Sequence, residues 1–169
     1  MNNKELLERL QHPGKKLHIV LDTDTYNEVD DQFALTYAVN SPEAIHVEAV
    51  YAAPFLNHRS CSPEDGMQKS YEEILRILGK LHIPSQDFVF YGSRAYLRDI
   101  HTPQESDAAR DLVKRALSFQ ADSLYVVGIG ALTNIASAIL MEPKIINKIV
   151  VVWLGGHAFH WKDTEEFNL

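Results

Sequence analysis

Cysteine is nearly absent. Cys61 is the one cysteine in 169 residues, so no internal disulfide can form, and a reducing cytosol is the compartment that fits. Its setting, Ser60-Cys61-Ser62-Pro63-Glu64-Asp65, reads as a turn leading into a helix rather than as the surroundings of a nucleophile. No apolar run approaches the length needed to cross a bilayer, and Met1-Asn2-Asn3-Lys4-Glu5 lacks the apolar stretch of a signal peptide. Membrane partners are therefore not expected. Lysine and arginine number 16 against 23 acidic residues, for a net charge of −7. They gather only in short pairs, which argues against a nucleic-acid surface. Long Gly/Ser linkers are missing, as are internal repeats. What is present, 46% hydrophobic and 23% charged residues, is the composition of a soluble globular protein large enough for one core.

The apolar pattern alternates between short runs and helical spacings. Strands are expected at 17–21, 45–51, 87–91, 123–128 and 147–154, and helices at 30–39, 64–79, 104–119 and 132–141. A short amphipathic helix built on Leu6, Leu7 and Leu10 precedes them and ends at His12-Pro13-Gly14. Phe33, Ala34, Tyr37 and Ala38 supply the helical spacing of the 30–39 segment. Ser62-Pro63-Glu64-Asp65 and Thr102-Pro103-Gln104-Glu105 each offer a hydroxyl cap, a proline at the first helical position and an acid soon after. Gly79 suits a helix end. Strands joined by helices of this length imply right-handed βαβ units. The fold class expected is α/β: an open, largely parallel, Rossmann-like sheet with helices on both faces. Residues 1–169 read as a single domain. An apolar strand near the end has no helix after it to cover the sheet, so the chain is expected to be the amino-terminal part of a longer domain, with an exposed sheet edge and apolar face that favour self-association.

Asp22, Asp24, Asp30 and Asp31 crowd into ten residues after the first strand. Carboxylates this close repel one another unless a cation or shared protons compensate, and an oxygen-rich loop suits a hard divalent ion. The other loops at strand carboxyl ends carry Asn57, the small-residue run Gly128-Ile129-Gly130-Ala131, and Gly155-Gly156 followed by His157, His160, Glu166 and Asn168. A parallel sheet gathers all of them on one edge, where open α/β folds bind ligands. A metal held there could acidify water, with a spare aspartate to accept the proton.

Three motifs in order, Leu21-Asp22-Thr23-Asp24 followed by Asp30-Asp31, then LTNIASAILMEP (132–143), then Gly155-Gly156 with Glu166-Phe167-Asn168, make the chain after residue 16 resemble the nucleoside hydrolase family (inosine/uridine-preferring type). The resemblance implies calcium-dependent hydrolysis of the N-glycosidic bond of ribonucleosides, to ribose and free base, in purine and pyrimidine salvage. By resemblance Asp24 contacts the metal and acts as general base toward water. Asp30 and Asp31 bind calcium, with Asp30 also reaching the ribose hydroxyls, and Ile129 ligates through its backbone carbonyl. Asn57, His160, Glu166 and Asn168 correspond to substrate contacts. A homo-oligomer is implied for the full-length form. The chain departs from the family in three places. Its spacer Thr25-Tyr26-Asn27-Glu28-Val29 is two residues longer, His160 replaces an asparagine, and the family's second half, with another aspartate ligand and a histidine near the leaving base, is missing. Low activity is the expectation for such a chain.

Other readings stand beside this one. Asp22-Thr23-Asp24-Thr25 also resembles the DxDxT signature of haloacid-dehalogenase-type phosphotransferases, which implies Asp22 as nucleophile, magnesium as the ion and a phosphate ester as substrate. The lysine and later acidic pair of that family have no convincing counterparts. An inactive, truncated metal-binding chain is a third reading. Taken singly, Asp22 could cap a turn, Asp30 and Asp31 could favour a helix start, and Asn134 could be a helix cap. Trp153, Trp161, Met67 and Tyr71 read as packing, and the histidines at 18, 46, 82 and 101 as incidental.

Overall fold

The computed structural model describes residues 2–12, 14–120, 123–158 and 160. After α1 (Asn3–Leu10), closed by a capping box between Asn2 and Glu5, the chain enters β1 (Leu17–Thr23). Then follow α2 (Val29–Val39), β2 (Ile45–Ala52), α3 (Pro63–Lys80), β3 (Val89–Phe90) and α4 (Asp107–Ser118). Last come β4 (Leu124–Gly128), α5 (Thr133–Met141), a 3-10 turn over Pro143–Asn147, and β5 (Ile149–Trp153). All pairings are parallel and the strand order is β3-β2-β1-β4-β5. Hydrophobic burial therefore works on both faces. Val20, Val126 and Ile149 meet Leu112 of α4 and Ile135 of α5 on one side. Leu21 and Val50 meet Leu35 of α2 and Ile74 and Leu78 of α3 on the other. The chain turns from leftward to rightward growth between β1 and β4, which puts the topological switch point at the end of β1.

The expected fold class holds, with local corrections. β1 runs two residues further than expected, so Asp22 lies in the strand and Asp24 is the first acid beyond it. Ser62 caps α3 as anticipated, accepting from the Asp65 N–H at 3.0 Å, and the exposed Cys61 donates its backbone N–H to the Asp65 carboxylate. Helix α4 is capped by Ser106, not by Thr102, because Gln104 is drawn into tertiary bonds. Its N–H donates to Ser137 and its carbonyl accepts from Ser93. Gly79 stays helical, and the left-handed residue that ends α3 is His82 (φ 57°). The His82 and Ile83 N–H groups close back on Gly79 and Leu78, a Schellman arrangement. β3 is cut to two residues, between a turn in which the Phe88 and Val89 N–H groups close on the Ser85 carbonyl and Tyr91, whose carbonyl accepts from the Ala108 N–H. In α2 the buried stripe is Asp31, Leu35 and Ala38, while Phe33 and Tyr37 are 72% and 69% exposed. A polar contact sets this rotation, since Thr23 Oγ1 donates to the Asp31 carboxylate.

Buried Asn134 joins three segments beneath the sheet edge. Its Nδ2 donates to Asp22 Oδ1 (2.8 Å) and the Ala52 carbonyl (3.2 Å), and its Oδ1 accepts from the N–H and hydroxyl of Ser93. The approach is so close that only glycine fits at 92, where a Cβ would lie 1.8 Å from the Ala52 oxygen. Replacing Asn134 with alanine leaves buried groups of Asp22, Ala52 and Ser93 unsatisfied. Asn134→Ala is expected to cost at least about 2 kcal/mol of unfolding free energy in urea titrations; a loss below about 0.5 kcal/mol, the level of an ordinary surface change, would contradict this role.

Candidate metal centre at the carboxyl edge of the sheet

The loop after β1 is a tight turn, with the Asn27 N–H on the Asp24 carbonyl at 2.6 Å. The longer spacer is thereby folded into the site instead of displacing it. Asn27 is 3% exposed and its Nδ2 holds Asp24 Oδ2 at 2.9 Å. Asn57 in turn donates to Asn27 Oδ1 at 2.6 Å, and Arg59 donates to the Asn27 carbonyl. A polar relay thus runs Asn57–Asn27–Asp24, which brings Asn57 to the site through a residue the sequence reading passed over. Across β4, the Ile129 N–H donates to the Asp22 carbonyl at 2.8 Å. A Cβ on Gly130 would stand 3.2 Å from Asp24 Cγ, so the Gly128–Gly130 loop lies directly against Asp24. The indole of Trp153 pins this loop by donating to the Gly130 carbonyl.

The two helix-start aspartates divide. Asp31 is 3% exposed and points inward, hydrogen-bonded by Thr23, whose hydroxyl also meets that of Thr25. Asp30 is exposed at the rim. Carboxylate oxygens of Glu28, Asp30 and Asp31 lie within 4.8 Å of one another. Glu28 sits at the N-cap of α2 yet makes no side-chain cap bond, so its carboxylate is left to the acidic cluster. Glu28 was missed because it belongs to the inserted spacer; its position two residues before the Asp30-Asp31 pair was the available signal. Tyr96 was also missed: burial first, then the charge of Asp24, raises its phenol pKa. His160 stands exposed in a turn beyond β5, and no described contact joins it to the aspartates. Glu166 and Asn168, like Trp161, lie outside the described residues.

Burial dominates the electrostatics. It lifts Asp22 and Asp24 from an ordinary 3.8 to about 7 and Asp31 to about 8. Hydrogen bonds from Asn134, Asn27 and Thr23 oppose the rise, while neighbouring carboxylates add to it. Among the described residues, no lysine or arginine salt-bridges these aspartates. Asp24 Oδ1 is buried with no hydrogen-bond partner. An orphaned carboxylate oxygen amid repelling carboxylates is the environment that a hard cation with oxygen ligands satisfies. The residues present therefore fit such an ion. Asp22, unlike Asp24, lies inside β1 with its carboxylate held by Asn134, which is poor placement for a nucleophile.

These carboxyls hold protons more tightly in the folded chain than in the unfolded one. Linkage then requires that their contribution to stability be complete below the unfolded pKa near 4 and be lost as pH rises through 7 to 8. In a chelator, Tm is expected to fall between about pH 5 and pH 8, by about 2–4 °C per kcal/mol lost in a chain of this size. Asp31→Asn should flatten that slope, and added Ca2+ should raise Tm more at the higher pH. Stability that climbs over this range in chelator, by differential scanning calorimetry, would contradict the assignment.

Comparison with known proteins identifies the fold and the family. Among solved structures, the chain is similar to a purine-preferring ribonucleoside hydrolase from Gardnerella vaginalis, at 22% identity and TM-score 0.63, over 83% of this chain and 49% of that one. It is similar to a plant nucleoside hydrolase, PpNRh1, at 22% identity and TM-score 0.59, over 83% and 48%. The type III effector protein XopQ, solved with adenosine diphosphate ribose, matches at 16% identity and TM-score 0.67, over 99% and 56%. At such identities these likenesses establish the fold. The chain spans about half the length of the structures it matches. No curated protein matches it. The family model described as inosine-uridine preferring nucleoside hydrolase matches residues 19–169, and on that match the chain belongs to the nucleoside hydrolase family.

Proposed function

We propose that residues 1–169 form a single α/β domain carrying the metal and ribose side of a calcium-dependent ribonucleoside hydrolase. Asp24 is the general base toward water and a metal contact, and Asp30, Asp31 and the Ile129 carbonyl supply the rest of this chain's ligands to calcium. Asp30, Asn57, His160, Glu166 and Asn168 contact the ribose. One observation carries this reading: Asp24, in a chain matched by the family over residues 19–169, has one oxygen fixed by Asn27 and the other buried without a partner.

The chemistry follows from the groups at hand. Bound there, calcium would offset the carboxylate charge and acidify water. With the ion bound, Asp24 would be held ionised and so able to take a proton from water. The Asn57–Asn27 relay keeps its carboxylate from rotating. As the base departs, positive charge grows on the ribose ring, and the fixed carboxylates stabilise it without reorganising. Purine or pyrimidine ribonucleosides are the substrate class, and a cytoplasmic role in nucleoside salvage completes the reading. The exposed apolar residues Val29, Phe33 and Tyr37 along α2 support a homo-oligomeric state, since patches of this kind mark contact surfaces.

Incubation with inosine or uridine and Ca2+ is expected to release free ribose slowly, with chelator abolishing it. Asp24→Asn should lower kcat by at least about 10²-fold, the usual contribution of a general base. Asn57→Ala should raise KM and, through the relay to Asp24, lower kcat as well. Ribose release unchanged in Asp24→Asn, or phosphate release from a phosphate ester in its place, would overturn the proposal.

A further inference from the structure

At the end of the sheet opposite the aspartates, His18 of β1 and His46 of β2 are paired in register. One step further the register slips. Ile19 pairs with Val47 and Val20 with Ala49, which leaves Glu48 as an extra residue in β2. Bulges of this kind re-aim a side chain and are frequent near functional sites. Here the carboxylate of Glu48 comes beside both rings. His18 Nδ1 lies 2.7 Å from Glu48 Oε1, and His46 Nε2 lies 3.7 Å from the same oxygen. One ligand atom from each of the three falls within 4.8 Å of the other two. A single His–Glu hydrogen bond accounts for His18 but not for the second imidazole nitrogen facing the same oxygen.

The surroundings hold the carboxylate in place. Glu48 Oε2 is 3.6 Å from Arg115, and Arg115 is itself neutralised by a two-point pairing with Asp111 at 2.9 and 3.1 Å. Asp111 also accepts from the Tyr51 hydroxyl at 2.6 Å. Outer partners of this type orient ligands in metal sites. The three side chains remain 40%, 53% and 20% exposed for His18, His46 and Glu48, so an ion can reach them and water can fill the open position.

We propose that His18, His46 and Glu48 bind a divalent cation of the zinc class, at a site separate from the carboxylate cluster. Two imidazoles and one carboxylate form a recognised zinc donor set with one position left for water. Imidazole nitrogen suits borderline ions, whereas the all-oxygen set at the other end of the sheet suits calcium. The two sites therefore sort cations by hardness.

The test is Co2+ titration of the tag-free chain, followed by visible absorption. The expected result is one equivalent giving the intense bands of a tetrahedral site, displaced by Zn2+ and not by Ca2+. His18→Ala and His46→Ala should each weaken uptake by at least about tenfold, with circular dichroism unchanged because both rings are at the surface. Glu48→Gln should weaken it as well. Asp31→Asn should leave the bands intact. Absence of such bands, their survival in the His18→Ala/His46→Ala double variant, or their displacement by Ca2+ would overturn the proposal.

Discussion

The cost of burying carboxylates away from water, sharpened by their mutual repulsion, is the constraint around which this end of the molecule is organised. Asp22, Asp24 and Asp31 are 1%, 1% and 3% exposed, and burial penalises their charged forms. Asn134 engages Asp22, Asn27 engages Asp24 and Thr23 engages Asp31. Each bond offsets part of the penalty, and none removes it. The remainder, concentrated at the unpartnered Asp24 oxygen, is what a bound cation would relieve. That cost of burial, with the repulsion added to it, is thus the thermodynamic source of metal affinity in the proposed function.

The fold delivers these groups through backbone geometry as much as through side chains. β1 ends beside β4 at the switch point, and the Ile129 and Ala53 N–H groups bond the Asp22 and Thr23 carbonyls. The loops after β1, β2 and β4 are therefore stitched together before any side chain is considered. Asn134 extends that stitching to the Ser93 segment, and Gly92 permits it. Rotation of α2 is coupled to the same site. Asp31 turns inward, Leu35 and Ala38 follow it into the core, and Phe33 and Tyr37 are left outside.

Periodicity revealed the alternation of strands and helices and the placement of Asp24 at a strand end, because these rest on short-range patterns. It failed where a tertiary contact outbid the local one. The proline-led signal at Thr102 lost to the bonds of Gln104 with Ser137 and Ser93. The apolar spacing of Phe33 and Tyr37 lost to the hydrogen bond on Asp31. Asn27 and Glu28 were hidden in a spacer that looked like an interruption, and only the folded turn shows that it lines the site. His18 and His46 looked incidental because nothing local announces a register pair between two strands, still less a bulge that adds Glu48 to it.

The central claim is that the buried, partly protonated aspartates form a calcium site. Calorimetric titration with Ca2+ in buffers of different ionisation enthalpy tests it most directly, since metal binding to carboxyls that hold protons must release them. With pKa values of about 7 for Asp24 and about 8 for Asp31, the account predicts release of at least about one proton per ion near pH 6, declining toward zero as pH rises above about 9. Saturable Ca2+ binding with no proton release near pH 6, or no binding at either pH, would contradict it.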